Sequence, residues 1–417
     1  MRIIHTSDWH LGQYFFTKSR APEHAAFLRW LTEQVKQHQV DAIIVAGDIF
    51  DTTSPPSYAR ELYNQFIVEL QQTHCQLVVL GGNHDSVAML NESRQLLTYL
   101  NTQVIAGVTP QPEQQVIELH DAQGKPAALV CAIPFVRPRD IVISQAGQSA
   151  QEKQQSLLEA IAEHYRQIYQ LAQDKQHQYP TPLPIIVTGH LTTVGASTTD
   201  SVREIYIGTL DAFPAQLFPP ADYIALGHIH RPQIVAKSDY IRYSGSPIPL
   251  SFDEANQEKS VVLVDFNQGL QPQITLLPIP EFQPMRLIKG DIDEIKSALN
   301  AFHDYQGEKT VWLDIEVNSR LYLNDLQRQI QQLAETLPVD VVLLRRSKAL
   351  TQQAIQRQEK ETLSELTVND VFERRLALDK DENDSDQQRE CRIQQLFRTV
   401  VNEMAEENQS TAKDDTL

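Results

Sequence analysis

Residues 77–85 read LVVLGGNHD: four aliphatic residues, two glycines, then three side chains able to hold a metal or move a proton. A run without polar alternation suits a strand buried on both faces. The change of chemistry at Gly81 and Gly82 puts Asn83, His84 and Asp85 just past the strand end, where glycine permits a sharp turn or a close backbone approach. The same design recurs in RIIHTSDWH (2–10), AIIVAGDIFD (42–51), PIIVTGH (184–190) and YIALGHIH (223–230). Helical patterns separate the strand-like runs, as in APEHAAFLRWLTEQVKQHQ (21–39) and SYARELYNQFIVELQQ (57–72). The expected fold class is therefore α/β, a layered sheet core whose strand ends carry the chemistry. Leu157, Leu158, Ile161, Tyr165, Ile168 and Leu171 predict a covering helix, ended by the prolines of YPTPLP (179–184).

The His and Asp clusters stop before Pro278, and the pattern changes. Three domains are expected: 1–277 for the strand-end chemistry, 278–346 as a small α+β capping domain, and 347–417 as linker and amphipathic helices. In the small domain QPMRLIKGD, TVWLDIEV and VDVVLLRR read as strands, while DEIKSALNAF and LNDLQRQIQQLAETL read as helices. In the tail, Thr367 and Asp370 have capping-box spacing. Val371, Phe372 and Leu376 belong to that first tail helix, and Ile393, Leu396, Phe397, Val400, Val401 and Met404 form an i, i+3, i+4 stripe on the second. Both helices need a surface to bury against.

With 417 residues, 41% of them hydrophobic, the chain can bury a full core. It has neither a secretory h-region nor a run approaching a membrane span, which predicts a cytoplasmic protein. Cys75, Cys131 and Cys391 have no C-x-x-C spacing, which argues against a disulfide framework or a thiolate zinc site. A formal charge of −18 argues against non-specific coating of DNA but leaves room for a local basic track, since part of the acid lies in DKDENDSDQQRE (379–390). There is no G-x-x-x-x-G-K-[ST] loop, so no ATP site is expected in this chain.

Asp8, His10, Asp48, Asp51, Asn83, His84, Asp85, His190, His228 and His230 together suit two divalent cations: a carboxylate such as Asp48 can bridge them, with imidazoles and an amide oxygen around it. The D-x-H and H-x-H spacings are expected to follow from the pleat of an extended segment, which turns alternate side chains the same way. His5, inside the first strand, is expected to be a hydrogen-bonded surface residue.

DWH, GDIFD, GNHD, GH (189–190) and GHIH match the pattern of the calcineurin-like metallophosphoesterases without departure. HTSDWHLGQ, GDIFDTTSPPSYAR and GHLTTVGA further resemble the nuclease subunits of that family which act with a coiled-coil ATPase. That resemblance implies one metal on Asp8, His10, Asp48 and His230 and a second on Asp48, Asn83, His190 and His228, the preferred ion being Mn2+. It implies His84 as general acid, oriented by Asp85, in exonuclease and endonuclease action on double-stranded DNA ends and hairpins. It also implies a homodimer within a heterotetramer, the tail helices meeting the ATPase. Lys18, Arg20, Arg60, Arg94, Arg137, Arg139, Arg203 and Arg231 lie near the motif loops in sequence and are candidate phosphate contacts. A stand-alone phosphatase or small-molecule phosphodiesterase is the competing reading.

Overall fold

A computed structural model of the chain describes residues 1–142, 149–202, 212–266, 269–318, 323–347, 392–393 and 396–397. The apolar runs become strands of two six-stranded sheets. The first sheet holds β1 (Arg2–Thr6), β4 (Ala42–Val45), β5 (Gln76–Leu80) and β6 (Thr102–Ile105), all parallel, with β13 (Ser260–Asp265) and β14 (Gln273–Pro278) added antiparallel beside β1. Its order is β14-β13-β1-β4-β5-β6. The second runs β11-β12-β10-β9-β8-β7, from Gln233–Val235, Ser238–Tyr243, Tyr223–Gly227, Ile185–His190, Pro126–Cys131 and Val116–His120. Its four inner strands are parallel. A two-stranded hairpin, β2 (Tyr14–Phe15) and β3 (Lys18–Ser19), follows β1.

The lack of polar alternation in β4 and β5, and in Ile3–Ile4 of β1, has a simple cause. Ile3, Ile44 and Val78 face the second sheet, packing in one cluster with Val130, Ile186 and Ala225. Ile4, Ile43 and Val79 face the other way, onto Phe27 and Leu31 of α1 (Ala21–His38) and Phe66 and Ile67 of α2 (Ser57–Gln71). Short helices α3 (Val87–Glu92), α4 (Arg94–Thr98) and α5 (Pro138–Ile141) follow along the chain. The second sheet is covered by α6 (Ala150–Gln176), which buries Leu157, Ile161, Tyr165 and Ile168. Ser149 and Glu152 close a capping box at its start. The order is thus helix, sheet, sheet, helix, with each sheet hydrophobic on both faces.

Contacts divide the chain into two units. The first comprises Met1–Leu287, Asp304–Asp314 and Pro338–Leu343; the second comprises Ile288–His303, Ile315–Leu337 and Leu344–Leu417. In the second unit α7 (Ile292–Asn300) starts at a capping box of Asp291 and Glu294 and packs on α8 (Leu323–Ala334). Strands β15 (Met285–Gly290), β16 (Val311–Val317) and β17 (Val339–Arg346) form a three-stranded sheet. No described helix is long and apolar enough to cross a membrane. Cys75 and Cys131 are buried free thiols in the core, and burial pushes both thiols up.

Candidate metal centre

The carboxyl ends of five parallel strands converge. From β1 come Asp8 and His10; from β4, Asp48; from β5, Asn83 and His84; from β9, His190; from β10, His228 and His230. The pleat does not arrange them. β1 ends at Thr6 and β10 at Gly227, and Asp8, His10, Asp48 and His228 all have left-handed backbone, with φ of 54°, 46°, 52° and 91°. Such conformations cost roughly 1–3 kcal/mol each in non-glycine residues and persist where surrounding bonds impose them. Those bonds are visible: the Asp8 and His10 amides donate to the Gly47 and Asp48 carbonyls at 3.0 and 3.1 Å.

The glycines make room for ligands. A Cβ at Gly82 would stand 2.1 Å from Asp48 Oδ1 and 2.3 Å from its amide nitrogen. At Gly227 it would fall 1.9 Å from the Ala46 carbonyl oxygen, the atom that holds His190.

Among the described residues three groups have ligand atoms within 4.8 Å of one another: Asp8, His10 and His230; His10, Asp48 and His84; and Asp48, His190 and His228. Asp48 and His10 are each shared by two groups, and every member is buried. Their nitrogens call for a cation. His10 Nε2 and His228 Nε2 are buried with no hydrogen-bond partner. His190 Nδ1 lies 2.8 Å from the Ala46 carbonyl, to which it can only donate, so in the neutral ring Nε2 carries a lone pair. That lone pair faces Asn83 Oδ1 at 2.9 Å and Asp48 Oδ2 at 3.2 Å, an arrangement of acceptors that a positive charge must relieve. A proton does so when no metal is present: burial would lower His190, but Asp48 raises it to about 9. Burial would likewise raise the Asp48 carboxyl, yet His190, His10 and His84 hold it well below the usual carboxylate range. Mixed oxygen and nitrogen donors around a shared carboxylate fit divalent metal binding.

Neighbours orient the ligands. Asp51 Oδ1 lies 3.1 Å from His10 Nδ1, leaving His10 Nε2 for the cation. G-D-x-x-D spacing pointed to Asp51 without revealing this role. The His84 amide donates to Asp48 Oδ1 at 2.9 Å, and its Nδ1 lies 2.7 Å from the Asp51 carbonyl. Asp85 was expected to orient the His84 ring, and its place in the fold corrects that expectation. Its carboxylate accepts from the Ile49, Phe50 and Gly82 amides at 3.1, 3.0 and 2.8 Å, so it ties the two motif loops together. Burial and nearby Asp48 raise its carboxyl to about 6 against the pull of those amides. The expectation for His5 is also corrected: it is hydrogen-bonded, to Tyr223 Oη and the Leu226 carbonyl, but it is fully buried.

The expected basic track divides. Arg20 is fully buried, donates to both Glu23 carboxylate oxygens at 2.5 and 2.7 Å and to the Pro249 carbonyl at 2.8 Å, and lies over Phe15 and Trp312. It cannot reach a phosphate, and its place in the track is withdrawn. Half-buried Arg137 donates to the Asp85 carbonyl at 3.1 Å and covers Phe135, bracing the His84 loop. Lys18 pairs with Asp340 at 3.1 Å. Arg60, Arg139 and Arg231 are exposed, Arg94 is half-buried, and Arg203 lies outside the described residues. Of the tail stripe, Ile393 and Phe397 are half-buried and Leu396 is exposed. Val371, Phe372, Leu376, Val400, Val401 and Met404 lie outside the described residues.

Residues 1–232 match the model of the calcineurin-like phosphoesterase family, and residues 281–380 match that of the type 5 capsule protein repressor C-terminal domain. The chain is 57% identical over 410 residues to SbcD, the D component of nuclease SbcCD, of Escherichia coli K12, covering 98% of this chain and 100% of that protein. The proteins of the same name from Rhodobacter capsulatus and Bacillus subtilis are each 32% identical, over 81% and 79% of this chain and 85% and 82% of their own. A dimetal phosphatase structure from Danio rerio overlaps 67% of this chain and 99% of its own at 11% identity, with a TM-score of 0.37.

Proposed function

Because the chain belongs to the calcineurin-like phosphoesterases and, within them, to the SbcD nuclease family, we propose that its buried His and Asp cluster cuts DNA with two divalent cations. The chain is a metal-dependent nuclease subunit, a DNA phosphodiester hydrolase. In our reading Asp8, His10, Asp48 and His230 hold one ion, and Asp48, Asn83, His190 and His228 the other, with Mn2+ the preferred metal. The observation that carries this is that Asp48 belongs both to a buried group with His10 and His84 and to one with His190 and His228, while His10 Nε2 and His228 Nε2 have no hydrogen-bond partner. Bound cations supply the activated water and the neutralisation of phosphate oxygens.

The chain's own residues do the rest. Asp51 and the Ala46 carbonyl hold His10 and His190 by Nδ1, so that each presents Nε2. Held by the Asp51 carbonyl, His84 is the general acid that protonates the leaving oxygen, a contribution of roughly 10²–10⁴ in rate. The low accessibility of the ligands limits bulk water around the reacting phosphate.

The relatives' name supports a partner: the SbcC component of their complex, here read as a coiled-coil ATPase met by the tail helices. The proposed substrates are double-stranded DNA ends and hairpins, cut by a homodimer within a heterotetramer in the cytoplasm. Residues 1–277, 278–346 and 347–417 are proposed as nuclease domain, capping domain and partner-binding tail. A stand-alone phosphatase is not favoured, since the likeness to nuclease subunits runs through nearly the whole chain.

Two variants test the assignment. His84→Ala is expected to lose about 10²–10⁴ in cleavage of duplex DNA while keeping its metal content. Asp48→Ala is expected to lose metal from both positions, measured by elemental analysis after dialysis. Equal metal loss in both would make His84 a ligand, and hydrolysis of a chromogenic phosphomonoester without DNA cleavage would restore the phosphatase reading.

A further inference from the structure

His230 is held differently from the other candidate ligands. Its Nδ1 lies 2.6 Å from Ser201 Oγ, and the Ser201 hydroxyl donates to Glu254 Oε1. Glu254 is fully buried and accepts as well from Thr199 Oγ1 at 2.9 Å, Ser246 Oγ at 3.2 Å, the Leu250 amide at 3.1 Å, and Lys259 Nζ at 2.6 Å. Lys259, itself 5% exposed, donates at 3.0 Å to the main-chain carbonyl of His230 and at 3.0 Å to Ser246 Oγ. One buried acid and one buried base thus reach the same histidine, through its imidazole and through its backbone.

A buried ion pair that only joined two segments would be complete with Glu254 and Lys259. Thr199 and Ser201 come from a separate loop, after β9, and add donors to a carboxylate that has about four lone-pair sites. Ser201 touches the ring, and Glu254 Oε1 stands 3.5 Å from the same Nδ1. With Nδ1–H donating to Ser201 and Ser201 O–H donating to Glu254, the tautomer of His230 is set and the Nε2 lone pair is left for a cation.

We propose that Ser201, Glu254 and Lys259 are positioning residues that hold His230 in its metal-binding orientation, so that occupancy of the cation site on Asp8, His10 and His230 depends on a network none of whose members touches the metal. This rests on the two-cation reading above. The residues lie in a Ser-rich stretch, SGSPIPLSFDEANQEKS (244–260), which has no metal-ligand spacing, and in the loop that carries Ser201. Only the fold brings them to His230.

The test is titration of the metal-stripped full-length chain with Mn2+ by isothermal titration calorimetry. Three variants are compared: Ser201→Ala, Ser201→Thr, and the pair Glu254→Gln with Lys259→Met, which removes both charges together and leaves neither unpaired. His190→Ala serves as the control that empties the other position. Expected are two binding classes in the parent chain. In the double variant the class that survives in His190→Ala weakens about 10–100-fold, with the other unchanged. Ser201→Ala weakens the same class by less, and Ser201→Thr, which keeps the hydroxyl, restores it. Unchanged affinities in Ser201→Ala and the double variant would overturn the proposal. So would an equal loss in both classes with a lower melting temperature of the metal-free chain, the mark of a structural role. A parent chain that binds a single ion refutes the two-cation reading instead, and the same variants then decide whether that ion depends on the network.

Discussion

Gly82 measures how tightly the centre is built. Any side chain there would drive a carbon into both the carboxylate and the amide of Asp48, and Asp48 has no free direction, since His10, His84 and His190 surround it. Gly82→Ala is therefore expected to lower stability by about 1–3 kcal/mol and to weaken metal binding as well, read from a urea transition and a metal titration on one preparation. The candidate ligands were legible as residue types, because a carboxylate or imidazole directly after an apolar run is a conspicuous change of chemistry. Their conformation was not. An alternating pattern reports a pleat, and nothing in D-x-H tells extended backbone from the left-handed turn found at Asp8 and His10. Nor could spacing distinguish Asp51, which serves His10 through its carboxylate and His84 through its carbonyl, from a direct ligand.

Among elements, the strands and long helices were the readable part. β4, β5, β9 and β10 bury both faces, and that demand alone produces four uninterrupted apolar runs. Positive charges were the unreadable part, because a sequence does not say which arginine a helix end will swallow. Arg20 precedes α1 and is enclosed with Glu23 of its first turn. Arg20→Ala should cost about 3–5 kcal/mol by leaving a buried carboxylate unpaired, seen as a lower denaturation midpoint. Charge removal at Arg60 and Arg94 should behave oppositely, keeping the midpoint and flattening the salt dependence of duplex binding. An unchanged salt slope would remove those two from the phosphate-contacting set.

Two buried histidines make an acid-sensitive contribution to the stability of the whole molecule. His5 and His24 are completely buried, and burial lowers both to about 3, helped by Arg242 near His5 and by Arg20 near His24, whose ring nitrogens have no hydrogen-bond partner. Between roughly pH 6.5 and 3 the unfolded chain binds a proton at each position and the folded chain does not. Their contribution is thus whole above that window and falls as pH drops through it, by about 2.7 kcal/mol per pH unit for the two together. The stability difference between the metal-free parent and His24→Leu, read from urea midpoints, should therefore shift by up to about 1.4 kcal/mol between pH 6.5 and 5.5, since His190 and Asp85, which act with the opposite sign in this range, are common to both chains.

The order of the ligands along the chain also bears on its life before synthesis is finished. Asp8 and His10 are made before the other candidate ligands, whereas His190, His228 and His230 follow only after β1, β4, β5 and β6 of the first sheet and β7 and β8 of the second, and a growing chain folds from its beginning. Until the second sheet has formed against the first, the early carboxylate and imidazole have no partners to complete a cation site, and closing so long a loop costs entropy that only the assembled sheets repay. A copy stopped before His190 consequently lacks three of the candidate ligands, so a complete cation site follows the inner strands of the second sheet rather than those of the first.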